Sequence, residues 1–93
     1  MDRLDAMHMF VRVVETGSFT QVAREFATTQ PTVTKQVAAM EARLKVRLLN
    51  RNTRGVSLTE PGTLYYEKCK AIVSDVAEAE NVVQVRQDRK SVV

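Results

Sequence analysis

A chain of 93 residues, 44% hydrophobic and 27% charged, has room for one small core and an appendage and too much apolar content for a disordered chain. Three glycines and two prolines favour a mostly helical fold, while one cysteine, Cys69, and one histidine, His8, exclude an internal disulfide and a four-ligand structural zinc site. The net charge is +3, but residues 30 to 59 hold six cations (Lys35, Arg43, Lys45, Arg47, Arg51, Arg54) against Glu41 alone, a clustering that suits a polyanionic partner.

Leu4, Met7, Phe10, Val11 and Val14 share one side of a helix, which predicts a first helix over 3–16 ended by Gly17. Ser18, with Gln21 three residues on, forms a capping-box pattern at the start of a short second helix whose apolar face is Val22, Ala23 and Phe26. Thr29 is placed to cap a third helix, with Pro31 in its first turn. There Val33, Val37, Met40 and Leu44 form a stripe expected to be buried against the first two helices. The opposite face carries Thr32, Lys35, Gln36 and Arg43, flanked by Thr34. Two short helices joined by a few residues, the second with an amide-rich and basic start, make a helix-turn-helix over about 19–38.

After Leu44 the period changes. Arg47–Leu49 and Val56–Leu58 read as short strands around a hairpin loop, Asn50 to Gly55, with a tip made basic by Arg51 and Arg54 and with Thr53 between them as a further candidate for DNA contact. Thr59 then caps a fourth helix with Glu60 and Pro61 in its first turn. Tyr65, Cys69, Ile72, Val76, Ala79 and Val83 recur at spacings of 4, 3, 4, 3 and 4, a seam expected to pair two chains. Leu64 and Cys69, in the first turns, are also expected to pack on the preceding domain, and the helix to fray from Arg86 onward, where charges interrupt the stripe. The fold class is therefore mainly α: a winged helix-turn-helix in residues 1–59, with its wing at about 47–58, followed by a dimerisation helix in 60–93.

This pattern points to DNA. The major groove admits one helix, and side chains near its N-terminus reach base edges that differ between base pairs. Gln30, Thr32, Thr34, Lys35 and Gln36 occupy such positions: glutamine can pair with adenine, lysine with guanine, and threonine can touch the thymine methyl. Ser18, Thr20 and the start of the third helix are candidates for phosphate contacts. Arg51 and Arg54 can reach a narrow minor groove.

The residues also resemble a family, the LysR-type transcriptional regulators of bacteria, over nearly the whole chain. The resemblance is carried by Phe10-Val11-Arg12-Val13-Val14-Glu15-Thr16-Gly17-Ser18-Phe19-Thr20, by Gln30-Pro31-Thr32-Val33-Thr34-Lys35-Gln36-Val37, by Arg47-Leu48-Leu49-Asn50-Arg51, and by Val56-Ser57-Leu58-Thr59-Glu60-Pro61-Gly62. It implies a DNA-binding transcription regulator that reads an interrupted inverted repeat in promoters as a dimer, with contacts from Gln30, Pro31, Thr34 and Lys35 and from Arg54 in the wing. It further implies a homodimer through the linker helix, often tetramers in full-length proteins, and leaves room for a contact with RNA polymerase. In the family a ligand-binding domain follows the linker helix, so the chain reads as an isolated DNA-binding fragment with no cofactor, any small-molecule effector belonging to that absent domain. Lys35 departs from the usual arginine and lacks its planar fork. Lys45 replaces the usual glycine, and Pro61 a common alanine.

Two other functions compete with this one. A thiol enzyme would need Cys69 and His8 in mutual reach, yet Cys69 sits on an apolar seam, where cysteine serves as a small hydrophobe. A pure assembly module would use the seam alone and bind DNA without regard to sequence. With no apolar run near the roughly 18 residues of a membrane span, a cytoplasmic regulator is the expectation.

Overall fold

The computed structural model describes the backbone of residues 2–53 and 55–92 and the side chains among these as far as residue 84. Its elements, in order, are α1 (Arg3–Thr16), α2 (Phe19–Glu25), α3 (Gln30–Leu44), β1 (Leu49–Asn52), β2 (Gly55–Leu58) and α4 (Glu60–Val92).

Each helix begins where its sequence supplies an acceptor for the free N–H groups of the first turn. Asp2 accepts from Asp5 N at 2.8 Å, Ser18 from Gln21 N at 3.1 Å, Thr29 from Thr32 N at 3.4 Å and Thr59 from Gly62 N at 3.0 Å. The capping box at Ser18 is only half made. Gln21 sends its amide to Glu25 rather than back to the cap, and Ser18 N donates instead to Thr16 Oγ1 at 3.2 Å. Gly17 ends α1 in the left-handed region at φ 69°. Lys45 ends α3 in the same region at φ 57° with a side chain to accommodate, and so does Ala27, at φ 53°, in the turn between α2 and α3. At both, the next residue's N–H closes a wide turn, Thr28 onto Ala23 O at 2.9 Å and Val46 onto Glu41 O at 3.2 Å.

The core is where the apolar faces of α1, α2 and α3 meet. Met9, Phe10, Val13, Val22, Val33, Val37 and Met40 are fully buried there, joined by Leu48 and Leu49 at the start of the wing and by Cys69 from α4. Burial of this kind contributes about 1.5–3 kcal/mol for each large side chain. Leu44, expected in the stripe of α3, is 39% exposed; it is the last residue of the helix, where Lys45 turns the chain away.

The wing differs from the expected hairpin. β1 and β2 pair antiparallel from Leu49↔Leu58 to Asn52↔Gly55, so the strands run through Asn50–Asn52 and the connection shrinks to positions 53 and 54. Polar residues of low strand propensity are tolerated because this face is exposed, and a two-residue connection suits the strand twist.

α4 packs its first turns along α1. Tyr65 lies against Phe10 with ring centroids 5.7 Å apart, Tyr66 Oη donates to Glu15 Oε2 at 3.1 Å, and Cys69 is fully buried. Cys69, counted on the seam between chains, is therefore covered within its own chain, as its second expectation had it. Leu64 is not covered: it is 65% exposed, because the core face of α4 runs through Gly62, Tyr66 and Cys69, and a residue two places from Gly62 points the other way. At Gly62 a Cβ would collide with the carbonyl oxygen of Leu48, so only glycine allows α4 to leave the wing this closely. The backbone stays helical to Val92 rather than fraying at Arg86. Charges interrupt the apolar stripe, but arginine, glutamine and lysine are good helix formers and no Gly or Pro intervenes.

Candidate nucleic-acid interface

The start of α3 is a polar, outward surface. Gln30, Pro31 and Lys35 are exposed and Thr32, Thr34 and Gln36 half-buried. Side chains here bond to one another. Thr29 Oγ1 and Thr32 Oγ1 are 2.8 Å apart, and the Gln30 amide donates to Thr34 Oγ1 at 3.2 Å, leaving the amide oxygen of Gln30 to face outward contacts.

The start of α2 lies beside the wing. Ser18 is half-buried, its hydroxyl oxygen engaged as the helix cap, while Thr20 is exposed. Phe19 between them forms a platform for the wing: the Arg51 guanidinium lies 4.4 Å from the centroid of its ring, a cation–π arrangement that steadies a charge while leaving its N–H groups free to donate. The structure thus sets Arg51 against Phe19, the residue between Ser18 and Thr20, with Thr53 exposed beyond the end of β1. Arg54 lies outside the described residues.

α1 and α2 are locked by a charged cluster on the flank. Arg12 Nε and Nη2 meet the two oxygens of Glu25 at 2.8 and 2.9 Å, and Arg12 Nη1 meets Glu15 at 2.8 Å. This planar pairing keeps the guanidinium charged and, through Arg12, holds the Glu25 carboxyl below the usual carboxylate range. Glu15 also accepts from Tyr66, so the cluster reaches from α2 to α4.

Of the seam residues, Tyr65 is half-buried against Phe10 and Cys69 buried, with burial pushing both the phenol and the thiol up. Ile72, Val76 and Val83 are 43%, 37% and 64% exposed, and Ala79 is exposed with them. The geometry therefore splits the expected seam. His8 and Cys69 are engaged elsewhere, the His8 ring edge-on to Phe26 at 5.1 Å and Cys69 beside Tyr65. Among the described residues no three His, Cys, Asp or Glu side chains gather as a metal would require, and no helix is long and apolar enough to cross a membrane.

Three residues that shape this surface were not singled out from sequence: Phe19 as the wing's platform, Ala27 in the turn, and Glu41, whose carboxylate accepts from Leu48 N at 2.8 Å and Leu49 N at 3.1 Å. A signal existed for Glu41, the lone carboxylate among six cations.

Residues 4–63 match the family described as bacterial regulatory helix-turn-helix protein, lysR family. A transcriptional repressor of Pseudomonas aeruginosa is 44% identical over 80 residues, covering 86% of this chain and 25% of the relative. The transcriptional activator AaeR of Escherichia coli is 41% identical over 78 residues, covering 84% and 25%. The chain thus spans about a quarter of the length of the curated relatives it matches. Among solved structures, the DNA-binding domain of BenM in a DNA complex superposes with a TM-score of 0.82 at 30% identity, covering 94% of this chain and 97% of that one. The DNA-binding domain of CbnR in a DNA complex gives 0.77 at 29% identity, covering 94% and 99%. With a family match over most of its length and relatives that are transcription regulators rather than enzymes, the chain belongs to the lysR family of bacterial regulatory helix-turn-helix proteins.

Proposed function

We propose that the chain is the DNA-reading module of a LysR-type transcription regulator that recognises an interrupted inverted repeat in promoter DNA as a homodimer. The observation that carries this reading is the exposed, internally ordered start of α3, set beside the α2 cap and the basic wing in a fold shared with domains solved on DNA. Gln30, Thr32, Thr34, Lys35 and Gln36, with Pro31 against the groove, read base edges. Ser18 and Thr20 fix the register on phosphates, and Arg51, Thr53 and Arg54 reach the minor groove or its backbone. Residues 1–59 form the reader and 60–93 the dimerisation helix, the reader borrowing the first three turns of α4 for its core. Pairing uses Ile72, Val76, Ala79 and Val83, the part of the stripe left uncovered. Two readers about 34 Å apart, or a multiple of it, select a site of matching symmetry. The regulator works in the cytoplasm. An effector-binding domain, tetramer formation and a contact with RNA polymerase belong to the longer protein.

Selection of this chain against a randomised duplex pool at near-physiological salt tests the reading. Enrichment of an interrupted palindrome is expected. Binding that falls with salt and enriches no sequence would leave a nonspecific binder and overturn it.

A further inference from the structure

The peptide at Leu48 is gripped from two sides. On its N–H side, Glu41 Oε2 accepts from Leu48 N at 2.8 Å and from Leu49 N at 3.1 Å. On its carbonyl side, Leu48 O accepts from Thr59 N at 3.0 Å, Thr59 Oγ1 donates to Arg47 O at 2.6 Å, and Gly62 passes too close for a Cβ. Leu48 and Leu49 are 1% and 2% exposed, so their N–H groups have little access to water and depend on a protein acceptor. A carboxylate is the side chain that holds two converging N–H donors most firmly. Glu41 lies on α3, eleven residues beyond Gln30, roughly 16 Å along the helix axis from the reading end. Its bonds tie the recognition helix directly to the root of the wing.

We infer that Glu41 is a positioning residue for DNA recognition, fixing the wing relative to the reading face of α3. The inference rests on the DNA-reading function proposed above. β1 starts at Leu49 and carries Arg51, so a shift at its root moves the basic part of the wing while Gln30 to Gln36, anchored by Val33 and Val37, stay in place. Glu41 acts through the wing alone and touches no DNA.

The test uses the whole chain on its selected operator, with Glu41→Ala and the milder Glu41→Gln, which keeps one carbonyl acceptor of the same reach. Hydroxyl-radical footprints follow the minor groove, interference by guanine N7 methylation follows the major groove, and amide exchange follows Leu48 and Leu49 without DNA. For Glu41→Ala we expect faster exchange at these two amides, loss of minor-groove protection flanking each half-site, unchanged N7 interference and affinity lower by about tenfold, the scale of one lost contact. Glu41→Gln falls between it and the parent. Equal weakening in both grooves would reduce Glu41 to a general stabiliser, and parental footprints or parental exchange in Glu41→Ala would equally overturn the inference. Failure of the DNA-reading function itself shows separately, as a parent chain that selects no operator.

Discussion

The two halves of the apolar stripe on α4 have one spacing and two fates. Tyr65 and Cys69 are taken up by α1 and close the core of their own chain, whereas Ile72, Val76 and Val83 continue the same face into solvent at 43%, 37% and 64% exposure. Two causes divide it. α1 runs beside α4 as far as Val73, Val76 and Glu80, so Ile72, one residue from half-buried Val73, is exposed by its direction. Val83, in contrast, lies beyond the start of α1, since the fourteen residues of α1 cover only about 21 Å against about 50 Å for α4. A heptad pattern identifies a face that needs covering; the partner is decided by what else stands beside it.

The strongest challenge to this contrast is Cys69→Asp, which places a carboxylate at a fully buried position. We expect a loss of about 3–5 kcal/mol in urea unfolding, and a loss below 1 kcal/mol would mean that the first half is not core. Gly62→Ala attacks the same half by forcing α4 off the Leu48 carbonyl; a destabilisation of about 1–3 kcal/mol is expected, and an unchanged midpoint would show that the junction yields. Lys45→Gly, remote from the stripe, relieves a left-handed lysine and calibrates the scale with a gain of about 1 kcal/mol; a lower melting temperature would contradict it. Val83→Asp addresses the second half. Its effect on the fold is expected to stay within about 0.5 kcal/mol, while sedimentation equilibrium shows a dimer becoming a monomer; an intact dimer would place the pairing face elsewhere.

The smallest effect is one of pH. Arg12 holds the Glu25 carboxyl below its ordinary value of 4.5, so the ionised pair adds stability above about pH 4.5 that is lost as the pH falls through the lower folded value. The melting-temperature difference between the parent and Glu25→Gln should be constant near neutrality and shrink in acid. A difference growing in acid would reverse the assignment.

Much of the fold was legible because its punctuation is chemical. Ser18, Thr29 and Thr59 announce three helix starts by hydroxyls that accept N–H bonds, and Pro31 and Pro61 stand where a missing donor costs nothing. The wing was legible in place and not in extent, since Asn50, Arg51 and Asn52 pair as a strand through backbone bonds that no side-chain pattern reveals. Leu44 and Leu64 were misplaced because periodicity assigns a direction to a side chain and says nothing of where its neighbour ends. At the interface, Gln30 and Lys35 stood out by type and position. Phe19 and Glu41 did not, because their role lies in what crosses to them from the wing, Arg51 onto the ring and two N–H groups onto the carboxylate. Ala27 in a left-handed turn contradicts local preference and is held by the closure of Thr28 onto Ala23.

Because Tyr66, Glu15, Arg12 and Glu25 bond in series from α4 through α1 to α2, the reading head and the root of α4 behave as one solid piece, like a hand on a rigid forearm. From Cys69 to Val83 the forearm extends about 21 Å. A tilt of about 10° at Val83 would carry the hand roughly 4 Å, close to one base-pair step of about 3.4 Å. In the homodimer proposed above, small changes of angle where two forearms cross would thus be read out as a change in the half-site spacing that the pair can span.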